Sequence, residues 1–500
     1  MGTQVPTTVE LDRSDRQFHR SKMQRCLDAL GRMLADGGFA SGPAKIGLEI
    51  ELNLVDPVLH PAMANLEVLE KLDDPSFTTE LGQHNLELNV RPRLLRGDQA
   101  LALEGELDKL LGDANARAQD VGAGIVLIGM LPTLRMENFD RRWLTGNPRY
   151  ALLNDQIFAA RGENMVLNME GSPLPGRRPE RLLTAATSIL PESACTSAQL
   201  HLQVAPEEFA SHWNAAQCLA GVQVAIAANS PFLLGRALWH ETRIPLFQQA
   251  TDTRPQELKN QGVRPRVWFG ERWITSIFDL FEENVRYFPG LLPHTDDEDP
   301  MAALDEGRPP KLAELRVHNG TIWRWNRPVY DIADGQPHLR VENRVLPAGP
   351  TVVDLMANAA FFYGAQRALV DQERPLWSMM SFQAAEENLY EGAKHSFGAQ
   401  LYWPGNGWVP PDELVLRKLL PMAHEGLRAC GVADDVRERY LGIIEQRCVS
   451  RRTGSSWQRE AVAAFERRGY DRESAIAGML AAYIELSRAG EPVHTWPIEV

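Results

Sequence analysis

The chain lacks the features that would indicate a secreted, disulfide-bonded or membrane-spanning protein. Its 500 residues include five cysteines, none in a Cys-x-x-Cys spacing, which fits a reducing cytosol and excludes a disulfide framework. The longest apolar run, residues 121–131, is too short to cross a bilayer and predicts a buried strand. Residues 1–25 are polar and charged, unlike a signal peptide. We therefore expect a cytoplasmic protein.

The chain also has fewer basic than acidic residues. The chain has 52 basic and 66 acidic residues, a net charge of −14, which argues against nucleic acid or an anionic membrane as the partner and favours a small-molecule substrate. The P-loop sequence, the G-x-S-x-G elbow and the H-E-x-x-H zinc motif are all absent from the sequence. A nucleotide, if one binds, must be held by metal ions and arginines on a sheet.

What the chain does have is a strictly alternating stretch at residues 45–55. Its even-numbered positions, from Ile46 to Leu54, are aliphatic, while Glu49 and Glu51 lie together on the other face of the predicted strand. Side chains two residues apart on a strand are separated by roughly 7 Å. That spacing suits one hard cation, or two neighbouring ones, held by these and other oxygen donors. A solvated face of an edge strand gives the same pattern, so this stretch alone does not decide between the two.

The same pattern recurs in three further predicted strands. Residues 85–90 place Glu87 among amides, with Glu80 just upstream across a turn, and residues 196–204 place Gln199 and His201 on one face. Residues 338–345 place Glu342 among basic residues. A merely solvated face would favour Lys, Thr and Ser, whereas acids, amides and a histidine are the residues expected of metal ligands.

The order of predicted elements indicates an α+β protein. We predict a loose leader at 1–12 followed by an amphipathic helix at 13–35, together making residues 1–40, then a catalytic sheet domain at 41–373 and a helical extension at 374–500. Within these regions the patterns predict helices at 63–72, 97–119, 149–161, 206–229, from 350, 413–430, 432–447, 456–468 and 471–488, and further strands at 121–131, 164–170, 312–317 and 320–326. Glu314 and Arg316 would share a face in the strand at 312–317. We expect the C-terminal helices to support the sheet.

Arginines are concentrated in a loop-rich segment at residues 236–272. Arg243 is one of six there, and arginines near a carboxylate-rich sheet can hold phosphates or a substrate carboxylate in bidentate fashion. Ordinary pairing with surface acids would account for at least half of them.

Five motifs, taken in order, resemble the glutamate–cysteine ligase type 2 family, which comprises ATP-dependent carboxylate–amine ligases related in fold to glutamine synthetase. The motifs are Ile46-Gly47-Leu48-Glu49-Ile50-Glu51, Glu80 with Asn85-Leu86-Glu87, Gln199-Leu200-His201-Leu202-Gln203-Val204, Asn229-Ser230-Pro231 with Gly235, and Glu342-Asn343-Arg344. They fall within residues 40–370. The resemblance implies a curved, mostly antiparallel sheet that forms a funnel-like active site, with helices packed on its convex side.

The resemblance also implies roles for individual residues. The metal ligands for Mg²⁺, with Mn²⁺ as an alternative, would be Glu49, Glu51, Glu80, Glu87, His201 and Glu342. Arg344 would neutralise the transferred phosphoryl group, so turnover should depend on Arg344 and on Glu51. Contacts with substrate or ATP would come from Gln199, Arg243, Arg327 and Arg316.

Two departures from the family pattern concern substrate contacts. The loop containing Glu241 and Arg243 lacks the usual small polar residue, and Asn326 precedes Arg327 where an aliphatic residue is expected. Glutamate and cysteine are the leading substrate pair, with another amine or amino acid as the alternative. The carboxylate-rich face is also compatible with a metal-dependent hydrolase or phosphotransferase. A non-catalytic relative that binds amino acids or nucleotides is disfavoured, because every metal-type position is filled.

Overall fold

The computed structural model describes residues 13–173, 178–292 and 295–498. The predicted leader at 1–12 lies outside the described residues, as does Pro175 of a proline-rich loop. The strands, numbered in chain order, are β1 (Lys45–Val55), β2 (Phe77–Thr79), β3 (Asn85–Leu94), β4 (Gly124–Val126), β5 (Met165–Glu170), β6 (Arg181–Ala186), β7 (Ala198–Val204), β8 (Phe232–Leu233), β9 (Arg236–Ala237), β10 (Val267–Trp268), β11 (Trp323–Arg324), β12 (Asn326–Ala333), β13 (Gln336–Asn343), β14 (Leu401–Trp403) and β15 (Gly407–Val409).

Within the described residues, seven strands form one curled antiparallel sheet with β1 at its centre. The order is β12-β13-β7-β1-β3-β2, and β4 pairs with the end of β1 beyond β7. β1 keeps the predicted alternation, since its aliphatic residues from Ile46 to Leu52 are buried on one face while Glu49 and Glu51 lie on the other. The predicted fold class, a curved antiparallel sheet forming a half-barrel in a mixed helix and strand protein, is confirmed.

Helices pack around this sheet, several of them against its aliphatic face. They are α1 (Arg13–Asp36), α2 (Asn65–Leu72), α3 (Glu104–Gln119), α4 (Pro148–Arg161), α5 (Pro206–Ala227), α6 (Arg243–Ala250), α7 (Gln256–Asn260), α8 (Ile277–Tyr287), α9 (Pro300–Asp305), α10 (Ala313–Asn319), α11 (Val352–Val370), α12 (Phe382–His395), α13 (Pro411–Leu414), α14 (Leu420–Ala429), α15 (Asp434–Ser450), α16 (Gly454–Arg467) and α17 (Arg472–Ala489). α5 and α11 are buried along almost their whole length and share one core with sheet residues such as Leu200 and Val341. Their buried polar residues have hydrogen-bond partners within the core, such as Gln217 with the Phe269 carbonyl and Asn358 with Arg447.

The C-terminal helices pack onto the same molecule. Leu389 and Leu427 belong to the core that includes the sheet, whereas Trp457 and Leu480 belong to a second core with Ile128. α11 and α14 approach so closely that a Cβ on Gly426 would lie 1.9 Å from the carbonyl oxygen of Gly364. The chain division at residue 374 stays a prediction. No helix among the described residues is long and apolar enough to cross a membrane.

The predicted strand at 312–317 is wrong. The segment forms α10, which packs against α1 and α8, so Glu314 and Arg316 do not share a strand face. Glu314 is buried and accepts a hydrogen bond from the backbone N–H of Asp296 at 2.8 Å. Arg316 instead pairs with Asp331 of β12 at 2.8 Å. A short run with apolar residues at alternate positions is compatible with the period of a strand or of a helix. Here the segment packs between two helices and is itself helical.

Two other predicted strands are shorter than expected. In the apolar run 121–131 only β4 is hydrogen-bonded as a strand, although most of the run is buried. The segment 320–326 is divided at Trp325 between β11, which pairs with β10, and β12 of the main sheet. Burial therefore explains these apolar patterns better than continuous strand pairing does.

Candidate active site

The strand register brings the polar residues of the sheet into rows across its concave face. One row runs from Arg327 through Glu342 and His201 to Gly47, because each of these residues is directly opposite the next. A Cβ at Gly47 would lie in ordinary contact with His201, 3.4 Å from its Cβ.

The two acids of β1 lie in the neighbouring rows. Asn89, Glu49 and Gln199 lie opposite one another, and so do Glu87 and Glu51 in the row beyond. Three of the four strands singled out in the sequence thus meet directly at Glu49 and Glu51.

Glu51, Glu80 and Glu87 form a carboxylate triad. Each offers an oxygen within 4.8 Å of the other two. Glu80 comes from the tight turn between β2 and β3, in which Gly82 could not carry a Cβ without approaching Asn85 Oδ1 to 2.6 Å. Glu87 is held by Asn89, whose Nδ2 donates to Oε1 at 2.8 Å.

Burial and mutual repulsion favour protonation of the triad. The pKa of Glu80 is raised well above its ordinary value by burial and by the charges of Glu87 and Glu51. The pKa of Glu87 is raised to about 7 by burial and by Glu49 and Glu51. Burial also raises the pKa of Glu51, against the opposing charge of Arg344. Three acids held this close without a cation are electrostatically unfavourable, which is the arrangement expected of a cation site.

The second group of predicted ligands contains both signs of charge. Nε2 of His201 lies 3.1 Å from Oε1 of Glu49. Glu342 is fully buried and accepts from Arg327 Nη2 at 2.6 Å and from Arg344 Nη1 at 2.5 Å. Although burial opposes its ionisation, these arginines and His201 hold the pKa of Glu342 well below its usual range. Glu342 is therefore a charged carboxylate engaged by two guanidinium groups.

Gln199 connects the two groups. Its Nε2 donates to Glu51 Oε1 at 2.9 Å, and its Oε1 accepts from Arg344 Nη1 at 2.7 Å. The other oxygen of Glu51 accepts from the backbone N–H of Ser197 at 2.6 Å. The Gln199 amide thus fixes the spacing between the triad and Arg344.

A cavity of about 540 Å³ adjoins these residues. Glu49 and His201 are among its lining residues, and the lining carries both signs of charge, with Lys45, Arg91 and Arg340 as well as Asp331 and Asp334. Its volume is in the range of small-molecule sites, roughly 300–1,000 Å³. The cavity is therefore large enough for a small-molecule ligand that would contact Glu49 and His201.

The predicted substrate arginines differ in their positions. Arg327 forms an ion pair with Glu342 of the site. Arg316 forms an ion pair with Asp331, which lines the cavity. Arg243 is 2% exposed and donates to Glu241 and to backbone carbonyls. Of the other arginines in the 236–272 segment, Arg254 pairs with Asp252, as ordinary ion pairing predicts.

Sequence reasoning missed Glu192 and Glu241. Burial and the charge of Glu51 raise the pKa of Glu192 to about 8, which places this carboxylate in the electrostatic surroundings of the triad. The available signal was an acid within the otherwise apolar and small sequence Ile189 to Ala194 just before β7. Glu241 is fully buried against Arg243, and its signal was the acid two residues before an arginine.

The fold is similar to that of known ligases. A glutamate–cysteine ligase from Francisella tularensis, solved in complex with AMP, matches with a TM-score of 0.56 at 13% identity, covering 93% of this chain and 91% of that one. A bifunctional glutathione synthetase from Pasteurella multocida matches with a TM-score of 0.52 at 11% identity, covering 93% of this chain and 55% of that one. At these identities the likeness shows the fold alone.

Sequence comparison identifies the family. The model of glutamate–cysteine ligase family 2 matches residues 45–478. The chain belongs to this family, and the match continues well beyond the five motifs. The resemblance predicted from the sequence is confirmed.

Two curated relatives are similar to this chain. The glutamate–cysteine ligase EgtA of Mycobacterium tuberculosis is 26% identical over 317 residues, covering 60% of this chain and 66% of that relative, slightly less than two thirds of its length. A putative glutamate–cysteine ligase 2 of Streptomyces coelicolor is 25% identical over 446 residues, covering 85% of this chain and 98% of that relative.

Proposed function

We propose that this protein is an ATP- and Mg²⁺-dependent carboxylate–amine ligase that forms an amide or γ-glutamyl bond through an acyl-phosphate intermediate. The observation that carries the proposal is the carboxylate triad joined through Gln199 to Arg344, near a cavity that is lined by Glu49 and His201. Family membership supports the reaction class. The same face of the sheet thus provides acids for cations and, just beyond the end of β13, a guanidinium for phosphate.

The residues fit Mg²⁺. Glu51, Glu80 and Glu87 supply oxygen donors, which hard cations prefer, and their mutual repulsion in the absence of a cation is the physical basis of affinity. Glu49, His201 and Glu342 are the residues for a second cation, and a histidine ligand would also admit Mn²⁺. A bound cation would neutralise phosphate charge and thereby favour phosphoryl transfer.

Arg344 is the group we assign to the transferred phosphoryl. Among the described residues its side-chain hydrogen bonds to the protein are made through Nη1, to Gln199 and Glu342, which leaves the other N–H groups of the guanidinium for a ligand. Although burial disfavours the charge, Glu342 and Glu51 raise the pKa of Arg344 above its ordinary value, so it stays positive. A fixed positive charge in a buried site stabilises the developing phosphoryl charge.

The proposed reaction has two displacements. A carboxylate oxygen of the acid attacks the γ-phosphorus of ATP and ADP leaves, which gives an acyl phosphate. The amine nitrogen then attacks the acyl carbon, phosphate leaves, and the nitrogen loses a proton. The protein's part is to position and neutralise charge, and no protein nucleophile is needed. Arg327, Arg316 and Gln199 are proposed to contact or orient the substrates.

Glutamate and cysteine are the first substrate pair to test. The name of the Mycobacterium tuberculosis relative supports this pair. The fold supplies the metal and phosphate chemistry, while loops decide which amine is accepted. The loop that contains Glu241 and Arg243 departs from the family pattern, so other acids and amines are also tested.

The deciding experiment measures ADP release from purified protein with ATP and Mg²⁺. Pooled amino acids are supplied first and then omitted one at a time, and the product mass is measured. A ligase releases ADP only when one acid and one amine are both present, with a product heavier than the acid by the amine less water. Phosphate release without an amine would instead show a hydrolase. ATP binding by calorimetry without any turnover would show a binding protein.

A further inference from the structure

We infer that Arg243 is a positioning residue that fixes the backbone at Arg344, with Glu241 as its buried counter-charge. This inference rests on the proposed function, because Arg344 is assigned there to the phosphoryl group. This positioning role differs from the direct substrate contact that the sequence predicts for Arg243.

The backbone after β13 needs such a support. The strand ends at Asn343, so the carbonyl groups of Arg344 and Val345 lie beyond it. Arg243 supplies donors to both, with Nη2 at 2.5 Å from the Val345 oxygen and Nη1 at 3.5 Å from the Arg344 oxygen. These contacts hold the main chain from which the Arg344 side chain extends.

Glu241 fixes Arg243 in turn. It is fully buried, and its Oε1 accepts from Arg243 Nε at 3.1 Å and from Ser230 Oγ at 2.7 Å. Its Oε2 accepts from the backbone N–H of Asn229 at 2.8 Å. Both carboxylate oxygens are therefore satisfied, which is the condition for a buried ion pair to be tolerated. The turn at Asn229 and Ser230 is thus connected to Arg344 through two charged side chains.

The geometry leaves Arg243 poorly placed to hold a substrate carboxylate. Its guanidinium is buried, and three of its five N–H groups already have protein acceptors. Trp325 also covers it, with the guanidinium carbon 6.0 Å from the ring centroid. This set of contacts requires the planar guanidinium group with its several N–H donors, so a lysine cannot replace Arg243.

Steady-state kinetics separate the two roles. If Arg243 positions Arg344, Arg243→Lys lowers kcat by about tenfold or more and changes the KM for the acid by less than about threefold. Combining it with Arg344→Lys gives a smaller loss than the product of the single losses, because both act on one group. A raised KM for the acid with kcat retained would overturn the inference and assign Arg243 to the substrate. Arg264→Lys, at a partly exposed pair with Glu271, is the matched control and keeps wild-type kinetics.

A second measurement does not depend on turnover. Crystal structures of the wild-type protein and of Arg243→Lys are compared at the Arg344 side chain, and the inference requires loss of the contacts to Gln199 or Glu342 in the variant. An unmoved Arg344 would overturn it. Should Arg243→Lys fail to fold, Glu241→Gln, which keeps the side-chain shape, takes its place in both measurements. If the wild-type protein joins no acid to any amine, the proposed function fails, while the structures still decide the positioning role.

Discussion

Removing one charge from the carboxylate triad should stabilise the metal-free protein. We take Glu87→Gln as the perturbation, because the amide oxygen can still accept from Asn89 Nδ2, which lies 2.8 Å from Glu87 Oε1. The change therefore removes the charge with little loss of hydrogen bonding.

The expected magnitude follows from the raised pKa of Glu87, which moves from 4.5 to about 7. The folded protein binds this proton more tightly than the unfolded chain, so stability is fully present below pH 4.5 and is lost as the pH rises through 7. At about 1.4 kcal/mol per pKa unit the loss is at most about 3.5 kcal/mol, and contact of this side chain with water reduces it to about 1–3 kcal/mol. The variant should recover that amount at pH 8.

Thermal unfolding in the presence of a chelator provides the assay. For a chain of this size we expect Glu87→Gln to unfold about 1–3 °C above the wild type at pH 8, with most of the difference gone at pH 5. Saturating Mg²⁺ should reverse the order, because it stabilises the wild type through the complete triad. Glu106→Gln, at a surface pair with Arg93, serves as the control. A variant less stable than the wild type at pH 8 without metal would refute the reasoning.

Three further predictions concern the site and the core. Glu51→Gln and Arg344→Ala should each lower ADP release by at least about a hundredfold while circular dichroism stays that of the wild type, and an active variant of either would remove its assigned role. Gln199→Leu should weaken Mg²⁺ binding in calorimetry and lower kcat together, because the amide contacts both Glu51 and Arg344; an effect on only one would contradict the bridge. Gly426→Ala should destabilise the fold by about 1–3 kcal/mol in chemical denaturation, because its Cβ would meet the Gly364 carbonyl. Wild-type stability there would mean that the helices can separate without cost.

The sheet could be predicted from sequence because its strands are buried on one face only. The aliphatic positions of β1, from Ile46 to Leu52, are all buried, and such one-sided burial leaves an alternation that a sequence shows directly. The polar positions that share a face follow from the same alternation, whereas the pairing of particular residues, such as Glu51 with Glu87, depends on the strand order and register. Only the strand order and register required the structure.

The errors arose where burial is not one-sided. In α10, Glu314 is as buried as Leu315, so a pattern with the period of a strand belonged to a helix enclosed by others. The partners of a buried charge also leave little trace in sequence. Glu241 and Arg243 are two residues apart, yet Arg243 acts on Val345, 102 positions away. Long-range hydrogen bonds of this kind are set by packing alone.

The alternation in β1 has a consequence for the strand register. A slip of β1 by one residue against its neighbours would place Glu49 and Glu51 among aliphatic side chains and bring leucines to the concave face. Such a chain would lose activity and, because buried unpaired charges are costly, much of its stability as well. Misassembled copies would therefore be both inactive and unstable, so the same alternation that builds the active site also favours the correct strand register.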